Sequence, residues 1–354
     1  MEPLSEVPAA GDPETHWVPI DDISAAGAAR RYATVLATKL GFDEARTGEV
    51  AIAVTELATN LHRHARDGAV ALRVARQYLG SSEEPAIDVV AMDAGPGLED
   101  LDAHLRDGRS SAGTLGVGLG AVVRLATTFD GYSVPGRGTI VAARFGIERR
   151  RFDRIGRPAP PAGHVGAGLT RPMTGEVACG DAYAIRPTAT GLVALLCDGL
   201  GHGPLAAGAA QRAVSVFLDA GEADVTALLT RLHRGLSHTR GAALAVVRID
   251  GAVLSYAGLG NIAGKITTRG LPSKHLTSMP GIAGHQARTI RSFEYPLDPN
   301  AVTVLHTDGV STRWTFDGQL ALLGQDPQVV AASVLRDGGT RRDDAGVLVL
   351  RSAR

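Results

Sequence analysis

The run "ERRRFDRIGRPAPPAG", from Glu148 to Gly163, breaks the apolar periodicity on both of its sides. Arginine gives way to proline within it, and proline removes a backbone donor that helices and sheets need. A single core cannot continue through such a stretch, so a chain of 354 residues should fold as two domains. The expected division is a flexible N-terminus at 1–15, a first domain at 16–147, a linker at 148–162 and a second domain at 163–354. The arginines of the linker are expected to be solvated. The two halves do not resemble one another, so no internal repeat organises the chain.

Charge narrows the function classes. Against 37 Asp+Glu stand 36 Lys+Arg, a formal net charge of −1, which argues against nucleic acid as the main partner. No apolar run approaches the ~20 residues needed to cross a bilayer. The opening "MEPLSEVPAAGDPET" has neither the basic nor the apolar region of a signal peptide, so a cytoplasmic protein without membrane contact is expected. Two cysteines, Cys179 and Cys197, suit neither a disulfide framework nor a thiolate zinc site and read as buried thiols.

In the first half, "ISAAGAARRYATVLATKLGF" is helical in composition, with Asp21, Asp22 and Ser24 available as caps. A second helix is expected from about Asp43 to His64, with Val50, Val54, Leu57 and Leu61 on one stripe. The runs "VALRVARQYL", "AIDVVAMD" and "GTIVAARF" read as strands, with a helix over "LGAVVRLATTF" between the last two. Helices on one face of a mixed or antiparallel sheet account for this order. Glu56 and Asn60 lie four apart, so a helix sets a carboxylate and a carboxamide on one face, a pair suited to a magnesium ion and a hydroxyl. "DAGPG" (Asp93 to Gly97) then ends a strand, and "GTLGVGLGAVVRLA" opens a helix with alternating glycines. Amides at such a helix start approach phosphates closely. Neither a Walker motif nor a dinucleotide fingerprint is present.

These three segments, in order, and the closing "GRGT" resemble the ATP-binding fold of histidine kinases and gyrase, and within it the RsbT/RsbW/SpoIIAB group of serine kinases and anti-sigma factors. The resemblance implies an α/β sandwich with helices on one face of a mixed sheet. It also implies that Glu56 is the general base, Asn60 coordinates Mg²⁺, and Asp93 bonds the adenine amino group. Gly95 and Gly97 would shape the loop under the base, Thr114, Gly116, Gly118 and Gly120 would line the phosphates, and Thr139 would support Asp93. His62 and His64 read as surface histidines rather than phosphoacceptors.

In the second half, strands are expected at "LVALLCD", "ALAVVRID", "AVLSYAGLG", "AVTVLHTDG" and "AGVLVLR". Helices are expected near "LAAGAAQRAVSVFLDAG", "DVTALLTRLHRGLS" and "PQVVAASVLRD". Asp181, Asp198, Asp308 and the pair Asp343–Asp344 stand at strand ends or beside them, with no basic residue in the motifs of the first three. Brought together, such carboxylates repel one another unless cations neutralise them, and oxygen ligands suit Mg²⁺ or Mn²⁺. The order G-D, D-G-x-G-H-G, T-D-G, D-D resembles the SpoIIE/RsbU/RsbX family of metal-dependent serine/threonine phosphatases. That resemblance implies an αββα sandwich and two Mn²⁺ or Mg²⁺ ions, bridged by Asp198 with help from the Gly199 carbonyl. Asp308 and one of Asp343 or Asp344, with Asp343 preferred, would complete one ion's shell, and Asp181 would act mainly through outer ligation or as a ligand of the second metal. His202 would either donate a hydrogen bond near the site or serve its turn, and Gly346 stands where the family often carries threonine or serine.

Together the two resemblances imply an α+β, two-domain bifunctional kinase and phosphatase using ATP and divalent metals. Its expected partners are STAS-domain antagonist or scaffold proteins of a partner-switching or stressosome circuit, with a sigma factor or an output phosphatase or cyclase downstream. The alternative is a phosphatase whose first domain is an ATP-dependent binding module, anti-sigma or regulatory, without kinase turnover.

Overall fold

The computed structural model describes residues 15–79, 82–106, 118–147, 165–221, 224–287 and 289–352. The expected linker at 148–162 lies outside them, as do Thr114 and Gly116. The chain divides into two compact units, Met1–Pro160 and Pro161–Arg354.

The first unit begins with β1 (Thr15–Pro19), α1 (Ile23–Lys39), α2 (Glu44–His64), β2 (Ala69–Leu79) and β3 (Ser82–Met92). α3 (Leu101–Arg106), α4 (Gly118–Leu125), β4 (Thr128–Val134) and β5 (Gly138–Gly146) follow. The five strands form one sheet in the order β1-β2-β3-β5-β4, antiparallel at every pairing. Asp22 and Asp43 cap α1 and α2 by accepting backbone N–H bonds from Ser24 and Ala25, and from Arg46. Val50, Val54, Leu57 and Leu61 of α2 are buried with Leu36 of α1 against Leu72, Ile87, Val89 and Phe145 of the sheet. Both helices therefore cover one sheet face, as their stripe of apolar residues requires.

The expected helix through "LGAVVRLATTF" ends earlier, at Leu125, and Thr128–Val134 becomes the edge strand β4. Arg46 is the physical reason. Its buried guanidinium donates to the carbonyls of Leu125 (2.6 Å) and Gly146 (2.9 Å) and to Thr127 Oγ1 (2.8 Å). It also pairs with Glu49 at 2.8 Å. A cation on the last carbonyls of a helix satisfies acceptors that would otherwise lack partners. Thr127 then turns the chain into the sheet, donating its N–H to Arg144 O at 2.7 Å and accepting from Gly146 N at 2.9 Å.

The second unit contains β6 (Val165–Arg171), β7 (Asp181–Pro187), β8 (Gly191–Gly199), α5 (Pro204–Leu218), α6 (Val225–Gly235), β9 (Ala242–Asp250) and β10 (Val253–Leu259). It continues through β11 (Ala263–Thr267), β12 (Lys274–His275), β13 (Phe293–Pro296), β14 (Val302–His306), α7 (Pro327–Gly338) and β15 (Ala345–Arg351). Two five-stranded sheets result, ordered β13-β10-β9-β8-β7 and β12-β11-β14-β15-β6. In β8, Val193, Leu195 and Cys197 pack toward α5 and α6, while Leu192, Ala194 and Leu196 pack between the sheets with Leu305, Leu348 and Leu350. α7 covers the second sheet over β6 and β15. The layers are helix, sheet, sheet, helix. Cys179 and Cys197 are buried and unpaired.

Five strands were expected here; β6, β7, β11, β12 and β13 are additional. β6 escapes a periodicity reading because glycine occupies its inward positions. A Cβ on Gly168 would lie 2.7 Å from the Tyr183 ring, whose hydroxyl donates to Gly168 O at 2.6 Å.

Replacing Arg46 with alanine removes the donor to the Leu125 and Gly146 carbonyls and to Thr127 Oγ1, together with the ion pair to Glu49. Breaking a buried ion pair of this kind costs about 3–5 kcal/mol. In urea unfolding, Arg46→Ala should lower the first unit's midpoint by that equivalent, with Arg30→Ala, on an exposed face of α1, as the control that leaves it in place.

Candidate catalytic centres

In the first unit, Glu56 and Asn60 are half-buried on α2, one turn apart, and His62 and His64 at its end are exposed. Asp93 follows β3 and is buried. Its two carboxylate oxygens each accept a backbone N–H, from Gly95 at 2.6 Å and from Thr139 at 3.2 Å. Asp93 N in turn donates to Thr139 O at 3.0 Å. Gly97 and Gly138 have φ of 67° and 83°, and a Cβ on either would overlap a backbone carbonyl, that of Val134 or of Asp93 itself. Only glycine lets these strands close so tightly. Gly95 approaches the end of α2, since a Cβ there would lie 3.0 Å from His64 O. Asp93, Gly95, Gly97 and Thr139 thus form one knot beside the helix that carries Glu56 and Asn60.

Ser133 is part of that knot and was not anticipated. Its hydroxyl meets Thr139 Oγ1 at 2.8 Å and accepts from Leu98 N at 2.7 Å. It sits on β4, a strand that was not expected and of which only Thr128 and Phe129 lay within the expected helix. Gly118 and Gly120 open α4, where N–H groups unpaired within the helix favour an anion.

In the second unit, Asp181 and Asp198 stand directly opposite one another across β7 and β8. Each keeps the parity of inward-facing neighbours, Tyr183 and Leu196 respectively. Alternation along a strand therefore aims both carboxylates between the sheets. From the other sheet, Thr307 Oγ1 donates to Asp181 Oδ2 at 2.7 Å and accepts from Gly346 N at 2.8 Å. Thr307 thus supplies a hydroxyl at the backbone of Gly346. Asp344 is buried, and its carboxylate accepts from Met173 N and Gly180 N, each at 2.7 Å. Asp343 is half-buried and accepts from Asp344 N at 2.9 Å. Asp308 is exposed at its turn and accepts from Asn261 Nδ2 at 2.8 Å. Gly309 beside it is pressed so close that a Cβ would overlap the Asp344 carbonyl.

These carboxylates share one field. Burial, then the charges of Asp308, Asp343 and Asp344, push Asp198 up to about 7. Burial and the charge of Asp198 raise Asp181 well above the usual carboxylate range, against the opposing Thr307 hydrogen bond. Asp308 is raised by partial burial and by Asp343. Asp344 is raised by burial, against the two amides that hold it. Among the described residues no three His, Cys, Asp or Glu side chains stand close enough to hold one ion as they are. The donor set nevertheless fits a hard divalent cation, being all oxygen, mutually repelling and free of any Lys or Arg ion pair among the described residues. His202 pairs with Glu176 through Nδ1 at 2.8 Å, on the loop that follows Asp198. Thr307, Asn261 and Glu176 were not anticipated; only Thr307 had a signal, as the residue before Asp308 in its motif.

Residues 21–145 match the histidine kinase-like ATPase domain family, and residues 188–353 match the stage II sporulation protein E (SpoIIE) family. The serine/threonine-protein kinase RsbT of Bacillus subtilis (strain 168) is 33% identical over 116 residues, covering 33% of this chain and 84% of that protein. Among solved structures, one from work on the bacterial stressosome as a modular system controlling secondary messenger signalling is 29% identical, with TM-score 0.48, and covers 53% of this chain and 99% of that one. RsbX in complex with magnesium is 16% identical, with TM-score 0.48, over 55% of this chain and 98% of that one. Among the described residues no helix is long and apolar enough to cross a membrane. The chain belongs to the RsbT family of histidine kinase-like ATPase domains, fused to a SpoIIE-type phosphatase domain.

Proposed function

We propose that the chain is a bifunctional protein serine/threonine kinase and phosphatase acting on STAS-domain proteins of a partner-switching or stressosome circuit, with ATP and divalent metal as cofactors. The observation that carries the reading is the group of five aspartates at one end of the sandwich, four of them raised by burial and then by their neighbours' charge. Two Mg²⁺ or Mn²⁺ ions held there would supply charge neutralisation and an activated water for phosphoester hydrolysis. Asp198, with the Gly199 carbonyl, and Asp308 would hold them. Asp343 is the better ligand of the late pair, because both Asp344 oxygens are already engaged by backbone amides. Asp344 and Thr307 would then orient the loops that carry the ligands, and Asp181, opposite Asp198 on the neighbouring strand, would act through outer or second-metal ligation. In the net reaction water adds to phosphorus and the serine oxygen leaves with a proton.

In the first unit the pinned Asp93 would fix the adenine amino group. The amides at the start of α4 would face the phosphates, and Asn60 would coordinate Mg²⁺. Glu56 would take the proton of the substrate serine as its oxygen bonds the γ-phosphorus and the bond to ADP breaks. Run together without bias, the two activities only hydrolyse ATP, so a signal or partner must favour one of them. The alternative, an ATP-dependent docking module beside a working phosphatase, differs in one measurable respect: it transfers no phosphate.

Intact mass of a STAS-domain protein incubated with ATP, Mg²⁺ and the Asp198→Asn variant tests this. We expect a gain of one phosphate, lost when Glu56→Ala is added to the variant, and removal of that phosphate by the wild-type chain but at least about 100-fold more slowly by Asp198→Asn. No gain despite bound ATP would favour the docking-module alternative.

Linkage supplies a second test. A carboxylate raised to about 7 keeps its proton when folded and loses it near 4 when unfolded, so it lowers stability as pH climbs through that window. In metal-free protein at pH 8, Asp198→Asn should therefore raise the second unit's Tm by several degrees, at about 2–4 °C per kcal/mol for a domain of this size. The gain should vanish near pH 4 and reverse on adding Mn²⁺. Scanning calorimetry over pH reads it directly.

A further inference from the structure

Three large aliphatic side chains stand exposed around the loop that follows Asp198. Val177 is 90% exposed, Leu200 45% and Leu205 64%. Val177 is distant in sequence from the other two, yet the segments that carry them are fastened together. Glu176, next to Val177, pairs with His202 at 2.8 Å. A Cβ on Gly203 would lie 3.1 Å from Glu176 Oε2, and one on Gly180 would lie 2.8 Å from Ala206 Cβ. Leu200 and Leu205 flank this fastening on either side. Lone exposed aliphatics are ordinary, but several gathered at the mouth of a polar centre mark a contact surface.

A cation completes the arrangement. Arg240 is exposed, and a Cβ on Gly201 would lie 3.1 Å from its Nη1. Its backbone is held: Leu200 N donates to Gly241 O at 3.0 Å, and Gly241 N donates to Thr239 Oγ1 at 3.0 Å. His285 Nε2 lies 3.0 Å from Arg240 O. Among the described residues the Arg240 side chain makes no ion pair and no hydrogen bond. An aspartate-rich centre repels a phosphate dianion, so an uncommitted guanidinium at its edge meets a need the centre creates, and its planar fork matches phosphate oxygens.

Resting on the phosphatase reading above, we propose that Arg240, Val177, Leu200 and Leu205 form the substrate lip of the second unit. Arg240 takes the phosphate, and the three aliphatic side chains take apolar residues flanking a phosphoserine on a protein surface. The occupant is a phosphoprotein and not a small phosphate ester, because the aliphatic part of the lip has nothing to meet in a small ester. Continuity with the aspartate centre and the complementary charge of Arg240 argue for that occupant.

The test compares kcat/KM of the full chain with Mn²⁺ on a serine-phosphorylated STAS-domain protein and on p-nitrophenyl phosphate. Val177→Asp and Leu205→Asp should each lower the ratio of the first to the second about tenfold, while Leu271→Asp, at an exposed aliphatic outside these loops, leaves the ratio unchanged. Arg240→Gln should raise KM about tenfold on both substrates with a much smaller change in kcat, and Arg240→Lys should recover part of the loss. A ratio unmoved by the aspartate variants, or an Arg240→Gln effect confined to kcat, overturns the lip while leaving the phosphatase reading intact. Wild-type protein that hydrolyses neither substrate overturns both.

Discussion

Like charges held between two sheets set the terms for the second unit. Asp181 and Asp198 face inward on adjacent strands, while Asp308 and the Asp343–Asp344 pair come from the ends of strands in the other sheet. An apolar sandwich core would ordinarily exclude such groups, and their tolerance depends on how the surrounding backbone is arranged. Amides of Met173 and Gly180 hold Asp344, and the hydroxyl of Thr307 holds Asp181. Asn261 holds Asp308. The amides and the Thr307 hydroxyl reduce the cost of the buried Asp344 and Asp181 without neutralising them, and Asn261 steadies the exposed Asp308. What remains is an unbalanced negative field open to a cation.

The first unit meets a different requirement with the same economy. A nucleotide site needs a carboxylate of fixed orientation beside a helix that offers amides, and here fixation comes from backbone closeness. Two glycines with positive φ let the turn before β5 close upon Asp93, and Thr139 and Gly95 share its carboxylate. Side chains contribute little beyond Ser133, so the geometry depends on where a Cβ is absent.

Much of this was legible in the amino-acid order, and the reasons are specific. The stripe Val50, Val54, Leu57, Leu61 has the helical period and is buried where that period aims it. The apolar runs of β8 and β15 are long and uninterrupted because both faces are covered. β4 was not legible, since all seven of its residues are half-buried and show no alternation. β6 hides its inward positions behind glycine, and β12 is two residues long. At the aspartate centre the carboxylates were visible through their neighbouring glycines. Their partners were not, because Thr307 reaches Asp181 from 126 residues away, and Asn261 and Arg240 stand in turns with no pattern of their own.

Arg46 does more than end a helix. It sits in the first turn of α2, the helix that carries Glu56 and Asn60 further along, and it holds the last carbonyl of α4, whose first turn contains Gly118 and Gly120. The same guanidinium holds the end of β5. One guanidinium therefore ties the start of α2, the end of α4 and the end of β5 together, so that none of the three can shift alone without stretching a charge-assisted hydrogen bond.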